Sequence, residues 1–66
     1  MLNAKQKKYL KIEYEYLNDM SEKYYREGNH EKGNEFAKKQ SHLHEFIDCL
    51  LEAQGEKIEE ADWLWE

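Results

Sequence analysis

The sequence predicts an all-α fold: an antiparallel two-helix hairpin, a C-terminal helical extension or short third helix, and two copies pairing into a four-helix arrangement. Three observations carry this. The 66 residues contain no proline, valine or threonine and only three isoleucines, so Lys, Glu, Leu, Gln and Ala, all good helix formers, dominate, while the branched residues that pack a sheet are missing. The apolar residues recur at helical spacing in two long runs. A glycine-asparagine pair, Gly28-Asn29, separates those runs.

The first helix is expected over about 3–27. Asn3 is its N-cap, and Gln6, three residues on, closes a capping box. At 100° per residue, Leu2, Tyr9, Leu10, Tyr16, Leu17, Met20 and Tyr24 form one stripe about 100° wide, enough for a core-facing side. Ile12 lies at its margin, and Tyr14 and Tyr25 lie beyond the opposite edge. Gly28 stops the helix because it takes the left-handed conformation that other residues resist. After a turn at 28–30, Asn29 caps a second helix over about 30–54, with Glu31 in the first turn against the positive end of the helix dipole.

The second helix carries a seam in alternating steps of four and three: Phe36, Gln40, Leu43, Ile47, Leu50, Gln54. Phe46 and Leu51 widen it. About two and a half repeats are fewer than a long coiled coil needs. So short a turn forces the helices antiparallel. With Tyr24 opposite Phe36, Met20 meets Gln40, Leu17 meets Leu43, Glu13 meets Ile47 and Leu10 meets Leu50.

Residues 55–66 are the extension. Gly55 is a candidate stop, yet the seam continues across it through Ile58, Ala61 and Trp65, and no Ser, Thr, Asp or Asn follows at once to cap a new helix. The segment therefore either continues the second helix, with Gly55 a weak point costing ~1 kcal/mol, or folds back. In both cases the first helix has run out near residue 57, so Leu64, Trp65 and Trp63 are expected to lack a partner within the hairpin. Indole rings bury about 150–250 Å² each, so this end is expected to dock on something: its own hairpin, a second copy or another protein.

Tyr24-Tyr25-Arg26-Glu27-Gly28-Asn29-His30-Glu31-Lys32-Gly33 resembles the turn of a tetratricopeptide repeat, where a glycine follows paired aromatics and a small residue sits at a close helix crossing. The resemblance implies a tight hairpin with that crossing at Gly33. It covers about ten residues. Where the family has further small residues this chain has Ser21 and Gln40, and it has neither the terminal proline nor a second repeat. The turn is read as a shared solution for a tight hairpin, without membership.

One domain is the most a chain of this length can form. It buries about 60% of the surface its unfolded form exposes, and its core supplies about 3–5 kcal/mol. Cys49 is the single cysteine, so no internal disulfide adds to this, and self-association is the cheapest remaining source of stability. No apolar run approaches the roughly 20 residues needed to span a bilayer, and the N-terminal lysines precede no apolar stretch of the secretory kind. A cytoplasmic protein with no membrane partner is expected.

The net charge is −5. Residues 1–11 contribute Lys5, Lys7, Lys8 and Lys11 and no acid, a charge of +4, and residues 12–66 hold 6 basic and 15 acidic residues, a charge of −9. That balance disfavours direct nucleic-acid binding, which needs a basic face. The tyrosines do not change this, because Tyr9, Tyr16 and Tyr24 fall on the core stripe.

Two constellations invite chemistry. His42, Glu45 and Cys49 share a helix side, but His42 and His44 point apart and four converging ligands are lacking. The reading is surface histidines, and no metal or cofactor is expected. Glu13 sits near the centre of the first stripe. A catalytic carboxylate needs a partner group, and only Gln6, Gln40 and tyrosine hydroxyls are near. Glu13 and Gln40 are read as polar residues that fix register or oligomer state.

The expected function is accordingly non-enzymatic: a small protein-binding module, a regulator or inhibitor of the kind phages and mobile elements encode, contacting its partner through Ile58, Ala61, Trp63, Leu64, Trp65, Tyr14 and Tyr25. Two alternatives stand beside it. One is a purely structural homo-oligomerisation module. The other is an acidic mimic of nucleic acid using Glu15, Asp19, Glu22, Glu35, Glu45, Asp48 and Glu52.

Overall fold

Asn3 begins the first helix in the manner its side chain dictates. In the computed structural model, which describes residues 2–65, its Oδ1 accepts from Gln6 N at 2.8 Å while Gln6 Oε1 accepts from Asn3 N at 2.9 Å. The capping box satisfies two of the backbone N–H groups a helix start leaves orphaned. Helix α1 then runs Ala4–Arg26. Gly28, at φ +81°, ends it: Gly28 N donates to Tyr25 O and Asn29 N to Tyr24 O, the paired bonds of a Schellman motif. Asn29 Oδ1 accepts from Lys32 N at 3.2 Å and starts α2, His30–Ala53.

The two helices form the expected hairpin. Tyr24 and Phe36 stack with ring centroids 5.6 Å apart and planes 11° from parallel, which sets the register. The helices cross closely at Gly33, which is buried. A Cβ there would lie 2.8 Å from Tyr25 Cδ1, and buried Ser21 donates from Oγ to Gly33 O at 2.9 Å. The small residue is therefore required where the resemblance placed it.

Gly55 stops α2. Its φ is +76°, Gly55 N donates to Glu52 O and Glu56 N to Leu51 O, a second Schellman motif. A 3₁₀ turn over Ile58–Glu60 and a one-turn helix α3, Asp62–Trp65, follow. This segment does not continue α2. It folds back along the hairpin and supplies half of the core, where Ile47, Leu51, Ile58, Ala61 and Leu64 are buried together with Leu2, Leu10, Tyr14, Leu43 and Trp63 packed around them.

Docking of that segment corrects several sequence expectations. Ile58, Ala61 and Leu64 do not overhang; they are buried in their own hairpin and present nothing to a partner while the segment is docked. Tyr14, placed outside the core stripe, is half-buried beneath the segment. Tyr9 and Tyr16, placed in the stripe, are more than half exposed, as is Phe46, and Glu13 is exposed rather than buried opposite Ile47. The cause is rotation. The buried face of α1 turns toward the side carrying Leu10, Tyr14, Leu17 and Ser21, because α1 must cover both α2 and the returning segment.

The structure measures 40 × 18 × 15 Å with a radius of gyration of 13.1 Å. Among the described residues the ion pairs are Lys11–Glu15 and Arg26–Glu22, both i,i+4 within α1, and exposed pairs of this kind contribute little. Apolar packing holds the elements together. No helix of the described residues is long and apolar enough to cross a membrane.

Candidate functional site

The same rotation leaves one face of the hairpin bare. Opposite the docked C-terminal segment, Leu2, Gln6, Tyr9 and Leu10 from the N-terminal half of α1 and its lead-in share a shallow apolar groove with Phe46 and Leu50 of α2. Toward the turn the face continues through Tyr16, whose ring meets Phe36 edge-on at 6.4 Å. Tyr9 is 62% exposed, Ile12 50%, Tyr16 51% and Phe46 56%. Half-exposed aromatic rings of about 200 Å² each leave roughly 300 Å² of ring surface in water from Tyr9, Tyr16 and Phe46 alone. With Ile12 and the half-buried leucines added, the patch reaches the range in which surface patches on monomers are often functional. Glu13 stands among these residues as an exposed carboxylate.

The residues singled out from sequence are scattered by the fold. Trp63 is half-buried against the core, with the Lys7 ammonium 6.0 Å from its ring centroid, an arrangement that favours the cation over the ring face. Trp65 is 47% exposed. Its Nε1 donates to Ile58 O at 2.8 Å, and its ring stands at 90° to Tyr14 with centroids 5.7 Å apart and 5.9 Å from the His44 ring. Trp65 and Tyr14 thus first serve to pin the returning segment. Tyr25 packs its ring on Gly33, beside His30 at 5.8 Å, and its hydroxyl donates to Asn34 Oδ1; it braces the turn. Gln40 is half-buried on the Trp65 side, lining a groove with Tyr14, Asn18 and Leu64, so it does not share a surface with Glu13.

The exposed edge of Trp65 and Tyr14 forms a second, smaller surface beside Glu15 and Asp19. Aromatic faces ringed by carboxylates suit a cationic side chain. Asp48, Glu52 and Glu59 gather separately around Lys57, at the other end of the C-terminal segment, so the acidic residues do not form one continuous strip. Among the described residues no three or more His, Cys, Asp or Glu side chains are grouped so as to hold a metal ion, and Cys49 is exposed.

Sequence reasoning assigned Tyr9 and Tyr16 to the core and Phe46 to the edge of the seam. The signal that they form a surface lay in the C-terminal segment: Ile58, Ala61 and Leu64 are spaced three apart, as one face of a helical turn requires, and that face needs part of the apolar arc of the first helix to cover it. No family model, no curated protein and no solved structure matches this chain.

Proposed function

We propose that the chain is a small non-enzymatic interaction module that binds protein through the bare face of its hairpin. Tyr9, Ile12, Tyr16 and Phe46 are the contact residues, with Leu10, Leu43 and Leu50 beneath them. The observation that supports this reading is four large apolar side chains, each at least half exposed, gathered on the side of a helical pair that its own third element leaves free. Aromatic residues at the centre of such a patch are the side chains that most often dominate binding energy. Regulation or inhibition of a partner by steric occupation is the role this surface suits, since it needs no reactive group.

Affinity capture from the native host tests the reading, with wild type beside Tyr16→Glu/Phe46→Glu. Both sites are exposed, so helix content by circular dichroism should be retained while captured protein is lost. Equal capture by both chains would defeat the proposal. The acidic-mimic alternative is supported by the net charge of −5 and by Glu15 and Asp19 beside Trp65. A complex built on those carboxylates weakens steeply as salt rises, whereas an apolar complex survives it.

A further inference from the structure

The C-terminal segment is built as a separable piece. Within it, Trp65 Nε1 donates to Ile58 O at 2.8 Å, Glu60 N donates to Lys57 O, Ala61 N to Ile58 O and Leu64 N to Ala61 O. Among the described residues no hydrogen bond or ion pair joins 57–65 to α1 or α2. The segment braces itself, and packing alone holds it on the hairpin. Ile58, Ala61 and Leu64 are buried with Ile47 and Leu51, the Trp65 ring lies by Tyr14 and His44, and the Lys7 ammonium lies by the Trp63 ring. Apolar packing is non-directional, so an identical groove on another molecule receives the segment as well as its own does.

One residue keeps the segment at home. Gly55 sits at φ +76°, and a Cβ placed there meets nothing within 4 Å. The position needs glycine for its backbone and not for space. Its neighbours favour the opposite conformation. Gln54, Glu56 and Lys57 are good helix formers, no proline follows, and Ile47, Gln54, Ile58, Ala61 and Trp65 keep helical spacing across the glycine. With Gly55 at a helical φ, α2 runs on past Ala53 and carries the segment away from its own hairpin. Ile47 and Leu51, 0% and 1% exposed when it is docked, then lose their cover, and so do Ile58, Ala61 and Leu64. A single chain has nothing else to put there. A second copy in the same state has both the groove and the segment.

We infer that residues 56–65 are an exchangeable arm, that a second copy of this chain is the partner able to receive it, and that the left-handed turn at Gly55 holds it on its own hairpin. In the exchanged pair each arm fills the groove of the other copy. Every buried contact of the closed chain is made again between copies. The two states therefore differ only at the two hinges and in the freedom lost on association, which is what makes exchange a low-cost route to a dimer. The bare face takes no part, so this inference stands or falls separately from the function proposed above.

Sedimentation equilibrium of the full chain, from micromolar to hundreds of micromolar, is the test, with wild type beside Gly55→Ala. Alanine resists the left-handed conformation and favours the helix, and the two effects together move each hinge about 30-fold or more toward the helical form. The dissociation constant of a species of twice the 8.1 kDa protomer mass should fall by at least that factor. Tryptophan emission of the dimer should match wild type, because the indoles keep their seats; in dilute solution the substitution only weakens the closed chain. Removing Glu56 and Lys57 makes the same demand by length alone, since so short a hinge cannot turn back, and should give the same dimer. A Gly-Ser-Gly-Ser insertion after position 55 of the Gly55→Ala chain lets the arm reach home and should return it to the monomer. Tyr16→Glu/Phe46→Glu on the opposite face should leave the exchanged dimer at full strength. The inference is overturned if neither hinge variant dimerises more tightly than wild type, if the dimer has red-shifted emission from a free arm, if it survives the insertion, or if it is lost with the opposite face.

Discussion

Leu64→Ala tests whether the C-terminal segment belongs to the fold. Leu64 is 4% exposed, and its neighbours Ile47 and Leu51 are 0% and 1% exposed, so the side chain sits in the only cluster of fully buried groups among the described residues. Truncating a buried leucine costs about 2–5 kcal/mol, the spread reflecting how far the surroundings collapse into the space left. A one-turn helix, Asp62–Trp65, joined through a short 3₁₀ turn can shift more readily than a long helix to fill part of it, which places this site near the lower end, at about 2–3 kcal/mol. The whole core supplies about 3–5 kcal/mol in a chain of this size, so the change removes roughly half of the stability. Each kcal/mol shifts the melting midpoint of a domain this small by about 4–8 °C, giving an expected fall of roughly 10–20 °C. The assay is thermal unfolding followed by circular dichroism, at one protein concentration for all variants. Tryptophan emission should move to the red in the native baseline, because Trp63 and Trp65 lose their seats. An unmoved midpoint would show that the hairpin stands without its third element, and the account of the core would fail with it.

Gly55→Ala puts a Cβ on a residue at φ +76° and should cost about 1–2 kcal/mol, read as a lower urea midpoint; an unchanged midpoint would argue against the Schellman stop. Gly33→Ala brings its Cβ to 2.8 Å from Tyr25 Cδ1, so the ring must move off the turn. Overpacking of this kind costs about 1–3 kcal/mol, and Tyr25→Ala in the same chain should recover part of it. Gln54 Oε1 is buried with no hydrogen-bond partner among the described residues. Gln54→Leu should therefore hold or raise the melting midpoint, by up to about 1–3 kcal/mol of recovered desolvation, and a clear loss would mean the oxygen is satisfied in solution. Trp65→Ala removes the bond to Ile58 O and the edge contact with Tyr14, a loss of about 1–3 kcal/mol read as a lower melting midpoint, but should leave protein capture through the opposite, bare face unchanged.

Local chemistry made the hairpin legible. Asn3 with Gln6, Gly28, and Asn29 act within three or four residues of themselves, so their geometry needs no knowledge of the rest of the chain. The register followed from the shortness of the turn, and Tyr24 does stack on Phe36. Gly55 carried the same kind of signal as Gly28. It was outweighed by a seam that continued past it, although that seam, through Ile58 and Ala61, served a segment returning onto the same core.

What sequence alone determined was therefore two helices, their ends and their pairing, together with an apolar arc on the first helix wider than one neighbour can cover. Tertiary structure decided which part of that arc the returning segment occupies. It took the side of Leu10 and Tyr14 and left Tyr9, Ile12 and Tyr16 in water. Helical periodicity fixes the direction in which a side chain points from its own axis; what stands in that direction depends on a residue some fifty positions away, brought there by a left-handed glycine and held by burial of Ile58, Ala61 and Leu64.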